Sequence, residues 1–189
     1  MISIWTAVGI AVSLVACSKS LDMSGERLTP LGPEWGVVIG SVLVQPRDDN
    51  TTPRTTADVT YDFEIVQSSP GDPHGRNPYA EQYHLHVKAG EERIFISRLH
   101  PGRYLLKYFS QERLTGIGGD LDLVFDSMAG EVHYVGRLLV EVPQRVSRGK
   151  DYQFRVQNAR ETTLTHMSRE HTELARQAID APMRSRAAP

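Results

Sequence analysis

Cysteine is almost absent from this chain of 189 residues: Cys17 stands alone. That excludes an internal disulfide framework and any zinc site built from cysteines. No charge of one sign predominates either. Lys plus Arg is 21 and Asp plus Glu is 23, a formal net charge of −2. The concentrated basic surface that releases counterions from nucleic acid is therefore missing, and no nucleic-acid partner is expected. No apolar run reaches the roughly 20 residues that cross a bilayer core comfortably. There is no Gly-x-Ser-x-Gly elbow, no glycine-rich loop ending in Gly-Lys-Ser/Thr, and no internal repeat. What remains is ordinary: 40% hydrophobic and 23% charged residues, a globular balance at a length suited to one domain or two small ones.

The apolar segment that is present lies at the front. Met1 to Ala16 carry no charged side chain, and an apolar run from Ile2 ends at Val15 and Ala16, before the polar Ser18, Lys19 and Ser20. Its length is that of a signal-peptide apolar region, with the single cysteine at the junction. The alternative is an amino-terminal core segment with an ordinary buried cysteine. Leu14-Val15-Ala16-Cys17 resembles the lipobox of bacterial lipoproteins. The resemblance implies cleavage between Ala16 and Cys17, diacylation of Cys17, and a membrane partnership through that lipid. Ser18 after the cysteine, rather than Asp, is similar to the pattern of lipoproteins sorted to the outer membrane.

Residues 1–16 are thus expected as signal peptide and residues 17–35 as a lipidated flexible tether, since Pro30, Gly32 and Pro33 break the polar stretch. From Gly36 the period becomes two. Apolar positions line both phases between Val38 and Val44, which suits a strand buried on both faces. Val59, Tyr61, Phe63 and Ile65 alternate with Thr60, Asp62 and Glu64, which suits one wet face. Further strands are expected near Tyr83–Val87, Arg93–Arg98, Tyr104–Phe109, Leu121–Asp126, Val132–Val142 and Tyr152–Gln157. Short strands at this spacing, with no helices between them, predict a mainly β, antiparallel sandwich of about seven to eight strands over residues 36–158. The stretch Ser68–Tyr79 is too rich in Gly and Pro for a strand and is expected as a long surface loop. Leu164, Met167, His171, Leu174, Ala175 and Ala178 share one helical face, and Asn158 with Glu161 has capping-box spacing. One C-terminal α-helix over residues 159–181 is expected to pack on the sandwich, followed by a disordered tail at 182–189.

Two segments narrow the class. Leu99-His100-Pro101-Gly102-Arg103-Tyr104-Leu105 is similar to the L-x-P-G-x-Y-x-L run of prealbumin-like and carboxypeptidase regulatory-like domains, in which Pro-Gly turns into a strand and the tyrosine points inward. Ala129-Gly130-Glu131-Val132-His133-Tyr134-Val135-Gly136 resembles a strand start of small bacterial lipoproteins with such sandwiches. The resemblance implies an Ig-like or prealbumin-like sandwich used for binding, adhesion or structure.

For chemistry, His84-x-His86 is the most prominent pair. At strand spacing both imidazoles face away from Tyr83, Leu85 and Val87, and a third ligand such as His74 or His133 would be needed to hold a transition metal. The alternation already accounts for them as solvent-facing residues, so no metal and no cofactor is expected. Asp120, Asp122 and Asp126 lack the spacing of a calcium loop. No catalytic constellation emerges, and the chain is not expected to be an enzyme. The expectation is a non-catalytic envelope lipoprotein with an envelope protein as partner. The alternative is a small-ligand or glycan-binding module with Tyr79, Tyr83, His84 and His86 as contacts. An envelope hydrolase is a weaker third class.

Overall fold

A computed structural model describes residues 19–22, 28, 32–47, 59–72, 74–77, 80–112, 118–143 and 152–186. Cys17, Ala16, Tyr79 and the tail beyond Arg186 lie outside these residues. Among the described residues the chain is mainly β, with two sheets and two helices. The strands are β1 (Lys19–Ser20), β2 (Gly36–Arg47), β3 (Thr60–Ser68), β4 (Gln82–Lys88), β5 (Glu92–Leu99), β6 (Gly102–Gln111), β7 (Gly118–Ser127), β8 (Val132–Pro143), β9 (Gln153–Gln157), β10 (Ile179–Asp180) and β11 (Arg184–Ser185). The helices are α1 (Arg160–Met167) and α2 (Thr172–Gln177). Each of the runs read from alternation overlaps one of β2 to β9.

Sheet A runs β1-β4-β3-β6-β7-β11, and sheet B runs β10-β8-β2-β5 with β9 also on β8. The two sheets share one core. Phe63, Leu85, Tyr104, Phe109 and Phe125 point into it from sheet A, and Val38, Val42, Phe95, Leu138 and Val140 from sheet B. Tyr104 is fully buried, its ring stacks on Phe125, and its hydroxyl donates to the His100 carbonyl at 3.0 Å. The Pro101-Gly102 turn therefore ends by tying its own tyrosine back across the turn.

The expectation of an all-antiparallel arrangement is corrected. β2 runs parallel to β8 from Val37↔Val132 to Arg47↔Pro143. Alternation reports which face a side chain takes but not the direction of the neighbouring strand. The crossover that a parallel pair requires is supplied here by five intervening strands, β3 to β7, rather than by a helix. A bulge between Ile39 and Ser41 falls opposite Gly136, whose φ of +93° suits the residue without a Cβ.

β2 is buried on both faces because sheet B has a second cover. Val37, Ile39, Ile96, Val132 and Tyr134 on its outer face pack under Met167, Leu174 and Ala178 of the helical segment and under Leu28. The single helix expected over 159–181 is instead two, with the chain extended again from Ala178. At the break, Thr172 Oγ1 donates to the Ser168 carbonyl at 2.6 Å, the acceptor its own backbone N–H would use in a continuous helix. The Asn158 side chain accepts from the Arg160 N–H at 3.1 Å, so it caps α1 from two residues ahead, without the box to Glu161.

The two terminal stretches are also corrected where they are described. Lys19–Ser20 pairs parallel to β4, Leu21 is buried in the shared core, and Leu28 is buried under sheet B. These residues are docked rather than a free tether. At the other terminus, β10 pairs parallel to β8, Met183 enters the shared core, and β11 pairs antiparallel to β7. The chain there crosses from sheet B to sheet A instead of fraying after Ala181.

Candidate functional site

The outer face of sheet A carries the sequence-predicted histidines. β4 alternates strictly, so Tyr83, Leu85 and Val87 go inward while His84 and His86 go outward. Antiparallel pairing of β3 with β4 sets Glu64 opposite His84 and Asp62 opposite His86. The result is a row of alternating imidazoles and carboxylates. Asp62 Oδ2 lies 2.7 Å from His84 Nδ1, Asp62 Oδ1 lies 3.8 Å from His86 Nδ1, and Glu112 Oε1 lies 2.6 Å from that same nitrogen. Beside them Lys107, lifted by the bulge in β6, approaches Glu64 at 3.3 Å and donates to the Gly75 carbonyl at 3.4 Å.

Each imidazole meets its carboxylate through Nδ1, which leaves Nε2 for a further donor or acceptor. This face suits hydrogen bonding to a polar ligand. Among the described residues no group of three or more His, Cys, Asp and Glu side chains is placed to hold a metal ion. The two histidines that the sequence offers as a third ligand lie elsewhere. His74 Nδ1 is 2.7 Å from Arg186, while His133 sits on β8 with Nδ1 facing the Asp126 carbonyl at 3.0 Å and Nε2 facing Glu131 at 2.6 Å.

Tyr83 is corrected as a ligand contact. Its side chain is buried in the core, its ring lies edge-on to Tyr104, and its hydroxyl donates to Glu81 at 2.6 Å. Burial, then the Glu81 carboxylate, pushes the phenol far above its ordinary titration range. Tyr79 is outside the described residues. Asp62 and Glu112 are the partners that sequence reasoning missed: they stand 22 and 26 residues from the histidines they meet. The polar phase of β3 was the only available signal.

The loop between β3 and β4 covers the other end of this face. Val66, Leu105 and Val124 form a small buried cluster there. Gly75 closes over it at a φ of +58°, and a Cβ on that residue would stand 2.2 Å from Val66 Cγ2. The three aspartates of β7 do not converge. Asp120 accepts the Tyr152 hydroxyl through its carbonyl, Asp122 lies 3.4 Å from Arg186, and Asp126 is gripped by Arg103 at 2.9 Å and Arg184 at 2.8 Å.

No family model matches this sequence, and no curated protein matches it. Among solved structures, 68% of the chain aligns with 99% of the type VI secretion system (T6SS) lipoprotein TssJ1 from Pseudomonas aeruginosa, at 12% identity and a TM-score of 0.32. A leucine-rich repeat protein from Bacteroides thetaiotaomicron aligns with 58% of the chain at 12% identity and a TM-score of 0.32, and the alignment spans 14% of that protein's length. Among the described residues no helix is long and apolar enough to cross a membrane.

Proposed function

We propose that this chain is a lipid-anchored, non-catalytic lipoprotein of the cell envelope, cleaved after Ala16, diacylated on Cys17 and held at the outer membrane. The observation that carries this reading is one of position. The lipobox-like Leu14-Val15-Ala16-Cys17 is followed, after Ser18 alone, by the first described strand. Cleavage after Ala16 would therefore keep every described element in the mature chain. As a finer class we assign the two-sheet body to the Ig-like, prealbumin-like sandwiches, on the strength of the Leu99–Leu105 turn and its inward tyrosine.

The role is that of an accessory that engages another envelope protein. β9 supports this: among the described strands it pairs with β8 alone, and Phe154 in its middle is exposed. An unpaired edge of this kind offers backbone groups to a partner strand. A second reading, a small-ligand or glycan-binding module, draws on the row His84, Asp62, His86 and Glu112 along the outer face of sheet A.

Growth with an alkyne-bearing fatty acid tests the address. Wild type is expected to take the label and to fractionate with membranes, and Cys17→Ala to lose both. Equal labelling of the variant would overturn the reading.

A further inference from the structure

We infer that one end of the two-sheet body, formed by Trp35, His100 and Met128, rests in the headgroup layer of the bilayer that holds the lipid. The inference rests on lipidation of Cys17 and adds an orientation to it.

The first argument is reach. β1 runs parallel to β4, with Lys19 beside Tyr83 and Ser20 beside His84, and the Leu21 N–H donates to the His84 carbonyl at 2.9 Å. The Lys19 ammonium is fixed on Glu81 at 2.7 Å. The chain from Cys17 thus joins the body at the end where β4 begins. Two residues span at most about 7 Å, so the acyl chains cannot stand far from that end.

The second argument is independent of the first: it concerns what that end displays. β5 stops at Leu99 and turns through His100 and Pro101. β2 starts just after Trp35, and the β7–β8 turn lies against it, with the Gly130 N–H donating to the Trp35 carbonyl at 2.8 Å. Trp35 is half-buried, stacks on His100 with centroids 3.8 Å apart, and carries the Arg98 guanidinium 5.0 Å from its ring centroid. Met128, in the adjoining turn, is 53% exposed. A tryptophan with one polar edge, a guanidinium on its face and an exposed thioether are groups that settle at the boundary between acyl chains and water. The opposite end, at the Ala89–Glu91 turn between β4 and β5, shows Gly90 and Glu91 to solvent.

The chain has two tryptophans, Trp5 and Trp35. Removal of residues 1–16 leaves Trp35 as the single intrinsic probe. The full chain is expressed in a bacterial host, the mass of the Cys17 peptide is read for acylation, and the purified protein is placed in phosphatidylethanolamine–phosphatidylglycerol vesicles with bromines near the glycerol end of the acyl chains. Trp35 emission is expected to shift to the blue and to fall about twofold relative to unbrominated vesicles, as for groups roughly 5–10 Å into the boundary. A second protein carries Trp35→Phe and Glu91→Trp, which moves the probe about 30 Å along the strands to the far end, and its emission is expected to stay unquenched. Unquenched Trp35 on an acylated chain overturns the orientation and leaves the lipoprotein reading standing. Equal quenching of the two probes also overturns the orientation, because no end is then preferred. An unacylated Cys17 overturns the lipoprotein reading and the orientation with it.

Discussion

The two terminal arms do the same job at opposite edges of the body, and they do it with unequal means. The amino-terminal arm pairs two residues with β4 of sheet A, drops Leu21 into the core, and, among the described residues, forms no backbone ladder with sheet B. There Ser97 donates to the Leu21 carbonyl and Arg93 binds Asp22. The carboxy-terminal arm forms backbone pairs on both sheets. Ile179–Asp180 lies on β8, the Ala181 and Met183 N–H groups donate to the Tyr134 and Val135 carbonyls at 2.9 Å, and Arg184–Ser185 lies on β7. Arg160 further clamps Asp180 at 2.7 Å. One arm is a peg and the other is a seam. A seam distributes its load over several backbone hydrogen bonds, whereas a peg concentrates it on one buried side chain and a few charges.

The largest expected effect tests that inequality directly. Met183→Ala should cost about 2–5 kcal/mol, the range for emptying a core site, and Leu21→Ala should fall near the low end, about 2 kcal/mol, because its arm can lift away and let neighbours collapse. Urea unfolding of the two variants decides the matter. A Leu21→Ala cost equal to or above that of Met183→Ala would abolish the distinction.

Acid gives an intermediate effect. Each arm is pinned by a carboxylate that titrates below its usual range. At Glu81 the hydrogen bonds from Lys19 and Tyr83 outweigh burial. At Asp126 burial pushes the carboxyl up, and Arg103 with Arg184 more than reverses it. With folded values below the unfolded ones, of about 4, the stabilisation is complete above pH about 4 and is lost as pH falls through the lowered folded values. Hydrogen exchange read across that window should show the Leu21 amide losing protection before the Met183 amide. The opposite order would mean that the peg is the firmer of the two.

The smallest effect belongs to the exposed face of sheet A. His86→Ala should change stability by no more than about 0.5 kcal/mol, as for an exposed site whose pairings are with solvent-screened carboxylates. A larger loss of thermal stability would show that the histidine row helps to hold sheet A together.

What could be read from the sequence follows the range of the physics involved. Alternation at Val59–Ile65 or Tyr83–Val87 is local, and it reports correctly that His84 and His86 face away from the core. The burial of β2 on both faces was legible for the same reason, since both phases of Val38–Val44 are apolar. Direction of pairing is not local, so the parallel β2–β8 ladder left no trace in the pattern. The arms were illegible because strands of two residues have no period, and Lys19 and Arg184 look like solvated tail residues until Glu81 and Asp126 arrive from elsewhere. The candidate site was half legible: the histidines showed, and the carboxylates that hold them did not.

The parallel ladder also governs how the protein is made. Val37 and Val132 are neighbours in space and 95 positions apart in the chain. The central pair of sheet B therefore cannot form until most of the polypeptide has emerged, and closing so long a loop precedes any reward from it. Folding dominated by such distant pairings belongs to the slow range, roughly milliseconds to seconds. Throughout that interval the apolar run Val37–Val44 has β5 as a ladder partner but not β8, and its open side is the kind of edge that is prone to aggregation.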